Sequence, residues 1–120
     1  MMKSSFLNNG VTAHRGNSSR YPENTIAAFK SALVTGADWI ELDVRRTKDG
    51  QIVVIHDEDT GRVGSHKLEI SGSSCSELRK VDVAFQFRKT NNMSLSECPE
   101  ASIPLLSEVI DLIKAQRKTR

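Results

Sequence analysis

Apolar positions along the chain change their period several times, and each change predicts an element. Val11-Thr12-Ala13 is a short apolar run closed by His14-Arg15-Gly16, which reads as a first strand with its polar residues at the C-terminal end. Pro22-Glu23-Asn24-Thr25 reads as a helix start, since Asn24 or Thr25 can cap free N–H groups and an acidic residue suits the positive end. Ile26, Phe29, Lys30 and Leu33 follow at helical spacing, and Thr35-Gly36 closes the helix. From Trp39 to Arg45 the period becomes two, with Ile40, Leu42 and Val44 on one face and Glu41, Asp43 and Arg45 on the other. Ile52-Val53-Val54-Ile55 is a β-branched run ending in His56-Asp57, the third predicted strand.

Asp49-Gly50 between the second and third strands is a hairpin signal, and there is no room for a parallel crossover. If these are the two turn residues, Lys48 faces Gln51 and Asp43 faces His56, with Glu41 on the same face. Opposed Cβ atoms lie roughly 4.5–5.5 Å apart, so the three side chains are expected to share one small region. Beyond Asp57 the pattern weakens. Residues 61–72 read as loop, Ser74 and Glu77 as a capping box on a short helix through Leu78, and residues 90–99 as a flexible stretch. Pro104 precedes a further helix with an apolar stripe at Leu106, Val109, Ile110 and Ile113, after which a basic tail begins.

Composition narrows the class. Hydrophobic residues at 38% and charged residues at 27% fit a globular domain, and 17 basic against 15 acidic residues give no polybasic face for nucleic acid. The first ten residues hold no apolar stretch of signal-peptide type and no later run is long enough to span a bilayer, so the expected setting is cytoplasmic. Cys75 and Cys98 lack metal-ligand spacing and read as plain thiols.

Chemistry concentrates in His14, Arg15, Glu41, Asp43 and His56, all at strand ends or on the charged face of the second strand. Adjacent carboxylates repel and call for a cation, and Mg²⁺ and Ca²⁺ take oxygen ligands. The plainer alternative is a solvated edge strand with Glu41 and Asp43 paired to Arg45 or Arg46, and histidines merely hydrogen-bonded where strands end. Glu23 and Asn24 are explained by the helix start without any chemistry, and His66 reads as an idle loop residue.

His14-Arg15-Gly16, Pro22-Glu23-Asn24-Thr25, Ala28-Phe29, Gly36-Ala37-Asp38, Glu41-x-Asp43-Val44, Thr47-Lys48-Asp49-Gly50 and Val53-Val54-x-His56-Asp57 together resemble the glycerophosphodiester phosphodiesterase family. The similarity is dense from Val11 to Asp57 and thinner toward Leu112. It implies an α/β fold, the N-terminal half of a TIM barrel of the phospholipase C-like type, with the site at the C-terminal strand ends. It further implies His14 and His56 as the acid/base pair, Glu41 and Asp43 as ligands of a divalent metal, Mg²⁺ or Ca²⁺, and Arg15 as the phosphate contact, with Glu23 and Asn24 in support. The substrate implied is a small glycerophosphodiester cut to sn-glycerol 3-phosphate and an alcohol. Related barrel phospholipases, phosphoinositide-specific or sphingomyelin-cleaving, are a rival reading that the Pro22 to Thr25 and Thr47 to Gly50 motifs disfavour.

The family's third acidic metal ligand lies on a strand that this sequence does not reach. A complete TIM barrel takes ~250 residues, so residues 1–120 are expected to be the N-terminal part of one domain, truncated before the barrel closes, with little activity alone. The alternative from another class is a non-catalytic fragment that self-associates or binds a partner through its open sheet edge.

Overall fold

The computed structural model describes residues 2–4 and 11–116. Nine elements follow in order: strands β1 (Met2–Ser4) and β2 (Val11–His14), helix α1 (Ile26–Val34), strands β3 (Trp39–Glu41), β4 (Val44–Arg46) and β5 (Ile52–Val54), and helices α2 (Cys75–Leu78), α3 (Phe85–Thr90) and α4 (Leu106–Lys114) among the described residues. β2 is central in a three-stranded sheet, antiparallel to β1 and parallel to β3. β4 and β5 form a separate antiparallel pair.

α1 supplies the crossover between β2 and β3. Thr25 rather than Asn24 is its N-cap, accepting the Ala28 N–H on its hydroxyl. At the other end Gly36 takes a φ of +79° and the N–H groups of Gly36 and Ala37 return to the carbonyls of Leu33 and Ala32, which satisfies the last turn. The buried face is Ala28, Phe29 and Ala32, while Lys30 is exposed. At Ala28 the chain end of β2 presses on the helix: a Cβ on Gly16 would lie 2.8 Å from the Ala28 backbone.

The stretch read as one strand from Trp39 to Arg45 is two. Its first part pairs with β2, its second with β5, and Leu42-Asp43 is the crossing point, held by the Arg15 N–H on the Glu41 carbonyl and the Ile55 N–H on the Asp43 carbonyl. Register also departs from expectation by one residue: Val44 faces Val54, Arg46 faces Ile52, and Asp43 lies opposite Ile55 rather than His56. The reason is the turn. Lys48, Asp49 and Gly50 make a three-residue loop, with Gly50 at φ +79° and the Thr47 N–H bonded to the Gln51 carbonyl. Asp49 stays in the turn, where its carboxylate accepts the Thr47 hydroxyl, and it also accepts the Cys75 N–H at the start of α2.

The excursion from β5 to α4 folds over a second apolar cluster of Val53, Ile55, Ile70, Leu78, Val81, Val83 and Ile103. Ser74 and Glu77 form the expected capping box on α2. Residues 94–98 make a hydrogen-bonded turn in which Ser94 and Glu97 cap each other. α4 begins at Leu106 as expected, but its inner face is Leu106, Val109, Leu112 and Ile113 against Phe29 and Val54, and Ile110 is 42% exposed.

Candidate active site

Parallel pairing of β2 and β3 in matched register sets His14 beside Glu41, and their side chains meet with His14 Nε2 3.3 Å from Glu41 Oε2. The next residue, Arg15, takes a φ of 56°, and Gly16 one of 77°, so the chain turns sharply off the strand end. That turn swings the Arg15 guanidinium inward, where Nη1 donates to Glu23 Oε2 at 3.1 Å. Arg15 Nε lies 3.2 Å from Asp43 Oδ2, too far out of line for a hydrogen bond, so this contact is an ion pair alone.

Asn24 is placed by the same turn. Its N–H bonds the Arg15 carbonyl, its φ is 55°, and its Nδ2 donates to Asp43 Oδ2 at 3.1 Å. Glu23 and Asn24 therefore reach into the polar cluster and leave capping to Thr25. The alternative pairing of the acidic residues with Arg45 or Arg46 is not what forms: Glu41 pairs with His14, Asp43 with Arg15, and Arg45 donates through Nε to the His56 carbonyl.

No hydrogen bond or ion pair joins His56 to Asp43, against the register read from the sequence. His56 Nδ1 instead lies 2.6 Å from Asp57 Oδ1. Two residues missed as participants complete the cluster. Arg62 grips both oxygens of Glu23 at 2.8 Å and Asp57 Oδ2 at 2.8 Å, so a continuous chain of opposite charges runs from Asp43 through Arg15, Glu23, Arg62 and Asp57 to His56. Asp57 was visible only as a neighbour of His56, and no local pattern marks Arg62 within its loop. His66 is exposed and bonds only its neighbour Ser65 through the ring.

Protonation follows from these contacts. The Arg62 hydrogen bond, helped by that of His56, outweighs burial and brings the Asp57 carboxyl down to about 2. For Glu23 burial pushes upward, but the hydrogen bond and charge of Arg62 and the charge of Arg15 prevail and hold it below the usual range. Both carboxylates are charged near neutral pH.

Four carboxylates, Glu23, Glu41, Asp43 and Asp57, against two guanidiniums leave an excess of two negative charges when the imidazoles are neutral. Asn24 Oδ1 is buried without a hydrogen-bond partner, an oxygen that a cation or a water would satisfy. This donor chemistry fits an oxygen-seeking divalent ion. Placement supplies only part of a site: among the described residues no three His, Cys, Asp or Glu side chains are grouped to hold a metal. A cleft of about 560 Å³ between residues 19–27 and 87–101 contains none of the strand-end groups, which stand on an open rim with His14, Glu41 and His56 34%, 44% and 45% exposed.

Comparison with known proteins converges on one family. The model of the glycerophosphoryl diester phosphodiesterase family matches residues 14–119. A glycerophosphodiester phosphodiesterase of Caldanaerobacter subterraneus is 45% identical over 86% of this chain and 40% of its own length. One from Bacillus altitudinis is 43% identical over 86% of this chain and 39% of its own. Among solved structures, the glycerophosphodiester phosphodiesterase of Agrobacterium tumefaciens superposes with a TM-score of 0.77 at 32% identity, covering 90% of this chain and 44% of that one. A phosphodiesterase of Oleispira antarctica, solved with the product sn-glycerol-3-phosphate, gives 0.71 at 30% identity over 87% of this chain and 39% of that one. The chain thus spans about two fifths of the relatives it matches, and its fold is part of their TIM barrel. On these matches the chain belongs to the glycerophosphoryl diester phosphodiesterase family.

Proposed function

We propose that this chain carries the acid–base and phosphate-binding residues of a metal-dependent enzyme that hydrolyses small glycerophosphodiesters to sn-glycerol 3-phosphate and an alcohol. The observation that carries the reading is the register of β2 and β3, which brings His14 to Glu41 and turns Arg15 onto Asp43 at one rim of the sheet. Family membership supplies the reaction class.

Each role has a physical basis. Arg15, already facing two carboxylates, exchanges part of that contact for phosphate oxygens and neutralises their charge. Glu41 and Asp43 are the residues that would hold Mg²⁺ or Ca²⁺, and the buried, unpartnered Asn24 Oδ1 is a further oxygen donor. When bound, the ion supplies further positive charge for the phosphoryl oxygens. His14 accepts the proton of the attacking water or hydroxyl, and His56 gives one to the leaving alcohol.

The test is ³¹P NMR of glycerophosphocholine with the purified chain and Mg²⁺ or Ca²⁺. Slow appearance of the phosphomonoester is expected, because two acidic ligands make a weak metal site. Chelation should abolish it, and His14→Ala should lower it by about 100-fold or more. Release that survives both changes, or a chain that neither hydrolyses the diester nor binds sn-glycerol 3-phosphate, contradicts the reading. Trp39, Val44 and Ile52, each about two fifths to half exposed on strands, favour a second reading in which the sheet edge associates with another copy. Light scattering distinguishes it, since a monodisperse monomer removes it.

A further inference from the structure

Arg62 does more than close a surface ion pair. Its fork reaches two carboxylates at once: Nη1 and Nη2 donate to the two oxygens of Glu23, while Nε and Nη2 donate to the two oxygens of Asp57 at 2.8 and 3.2 Å. Each carboxylate in turn holds a group of the strand-end cluster. Asp57 Oδ1 meets His56 Nδ1 at 2.6 Å, and Glu23 Oε2 accepts from Arg15 Nη1 at 3.1 Å. Glu23 lies 39 residues away in sequence, on the far side of α1 and the hairpin. One guanidinium from the loop after β5 is therefore the shared member of two relays, one ending on an imidazole and the other on an arginine.

We propose that Arg62 is a positioning residue of the active site, acting through Asp57 to hold His56 with its proton on Nδ1 and Nε2 available to the reacting groups, and through Glu23 to fix Arg15. A carboxylate dictates which ring nitrogen keeps the proton only while it stays ionised and in place, and Arg62 supplies both conditions. The consequence for His56 as an acid is specific. As the bond from phosphorus to the leaving oxygen breaks, its electron pair goes to that oxygen, which takes the proton from Nε2 of the imidazolium. The ring is left neutral with its remaining proton on Nδ1, facing Asp57. Lysine cannot substitute, because a single ammonium lacks the planar fork that spans two carboxylates.

The part of the inference that concerns the reaction rests on the phosphodiesterase reading, but the positioning itself is testable without it. The experiment records long-range ¹H–¹⁵N correlations of the three histidine rings in the 120-residue chain, for the native protein, Arg62→Gln and Arg62→Lys, above the pH at which the rings lose their charge. His56 of the native chain is expected as the Nδ1–H tautomer, and both variants should shift it toward a mixture while His66 is unchanged. The Arg62 side chain is 49% exposed, so neither change leaves a buried hole. Where hydrolysis of glycerophosphocholine is measurable, both variants should lose roughly 10-fold in kcat with a smaller change in KM. A native His56 protonated on Nε2, or variants that keep the native tautomer, would overturn the proposal. Tautomer loss in a chain with no hydrolysis or product binding leaves the positioning standing and removes the phosphodiesterase reading. Hydrolysis with the tautomer and kcat untouched by Arg62→Lys does the reverse.

Discussion

Arg88 and Arg62 lie on the same excursion between β5 and α4, and each grips carboxylate, yet they belong to different kinds of region. Arg88 is sealed: its side chain is 11% exposed, it meets Asp82 Oδ2 at 3.0 Å and the Cys98 carbonyl at 2.8 Å, and Asp82 also accepts the N–H groups of Ala84 and Ala101. Every partner is inside the excursion, so the pair ties that region to itself. Arg62 is half open, and its partners are Glu23 and Asp57, so it ties the excursion to the strand-end cluster. Burial with local partners marks a structural pair. Arg62 differs in that both of its partners hold a further group of the strand-end cluster, Asp57 the His56 ring and Glu23 the Arg15 guanidinium.

The sharpest way to break this contrast is to remove each guanidinium in turn. Arg88→Met leaves Asp82 buried with an uncompensated charge and should cost about 3 kcal/mol in chemical denaturation, without altering the ring spectrum of His56. Arg62→Gln should cost less than about 1 kcal/mol, because solvent screens its pairs. Equal losses of stability from the two variants would erase the distinction.

A smaller effect sharpens it through pH. Asp57 titrates at about 2 in the folded chain against its ordinary 3.8, with the Arg62 hydrogen bond as the first cause. A depressed carboxyl stabilises the fold above its ordinary value and loses that contribution as pH falls toward the folded one, so the Asp57 share should vanish between about pH 4 and pH 2. In Arg62→Gln the ¹³C titration midpoint of the Asp57 carboxyl should rise toward the ordinary value. A midpoint that stays near 2 would show that His56 or the backbone, and not Arg62, sets it.

How far the sequence disclosed this arrangement depends on range. Capping residues acted locally and were legible: Thr25, one of the two candidates for the α1 cap, Ser74 with Glu77 on α2, and Gly36 closing α1 all follow from hydrogen bonds spanning a few residues. The pairing of His14 with Glu41 was legible only in part, since His14 read as a strand end but Glu41 as the middle of a strand running to Arg45, and the break after Glu41 is what sets the two side by side. The hairpin register was not legible, because the loop has three residues where a two-residue turn was assumed, with Asp49 held by the Thr47 hydroxyl and by the Cys75 N–H 26 residues away. Ile110 was misassigned to the inner face of α4 because the stripe fitted at spacings of three and four could rotate until Leu112 packed instead. Arg62 was invisible, since its meaning lies in a partner 39 residues distant.

The proposed chemistry depends on the strand-end groups surrounding one site for a divalent ion. Titrating the chain with Mn²⁺ and following the ring resonances of its three histidines tests this directly, since the paramagnetic ion broadens only nearby nuclei. His14 and His56 should broaden together at low Mn²⁺, ahead of His66, and excess Mg²⁺ should restore them. Broadening that reaches His66 first, or that leaves either strand-end imidazole sharp, would contradict a shared cation site.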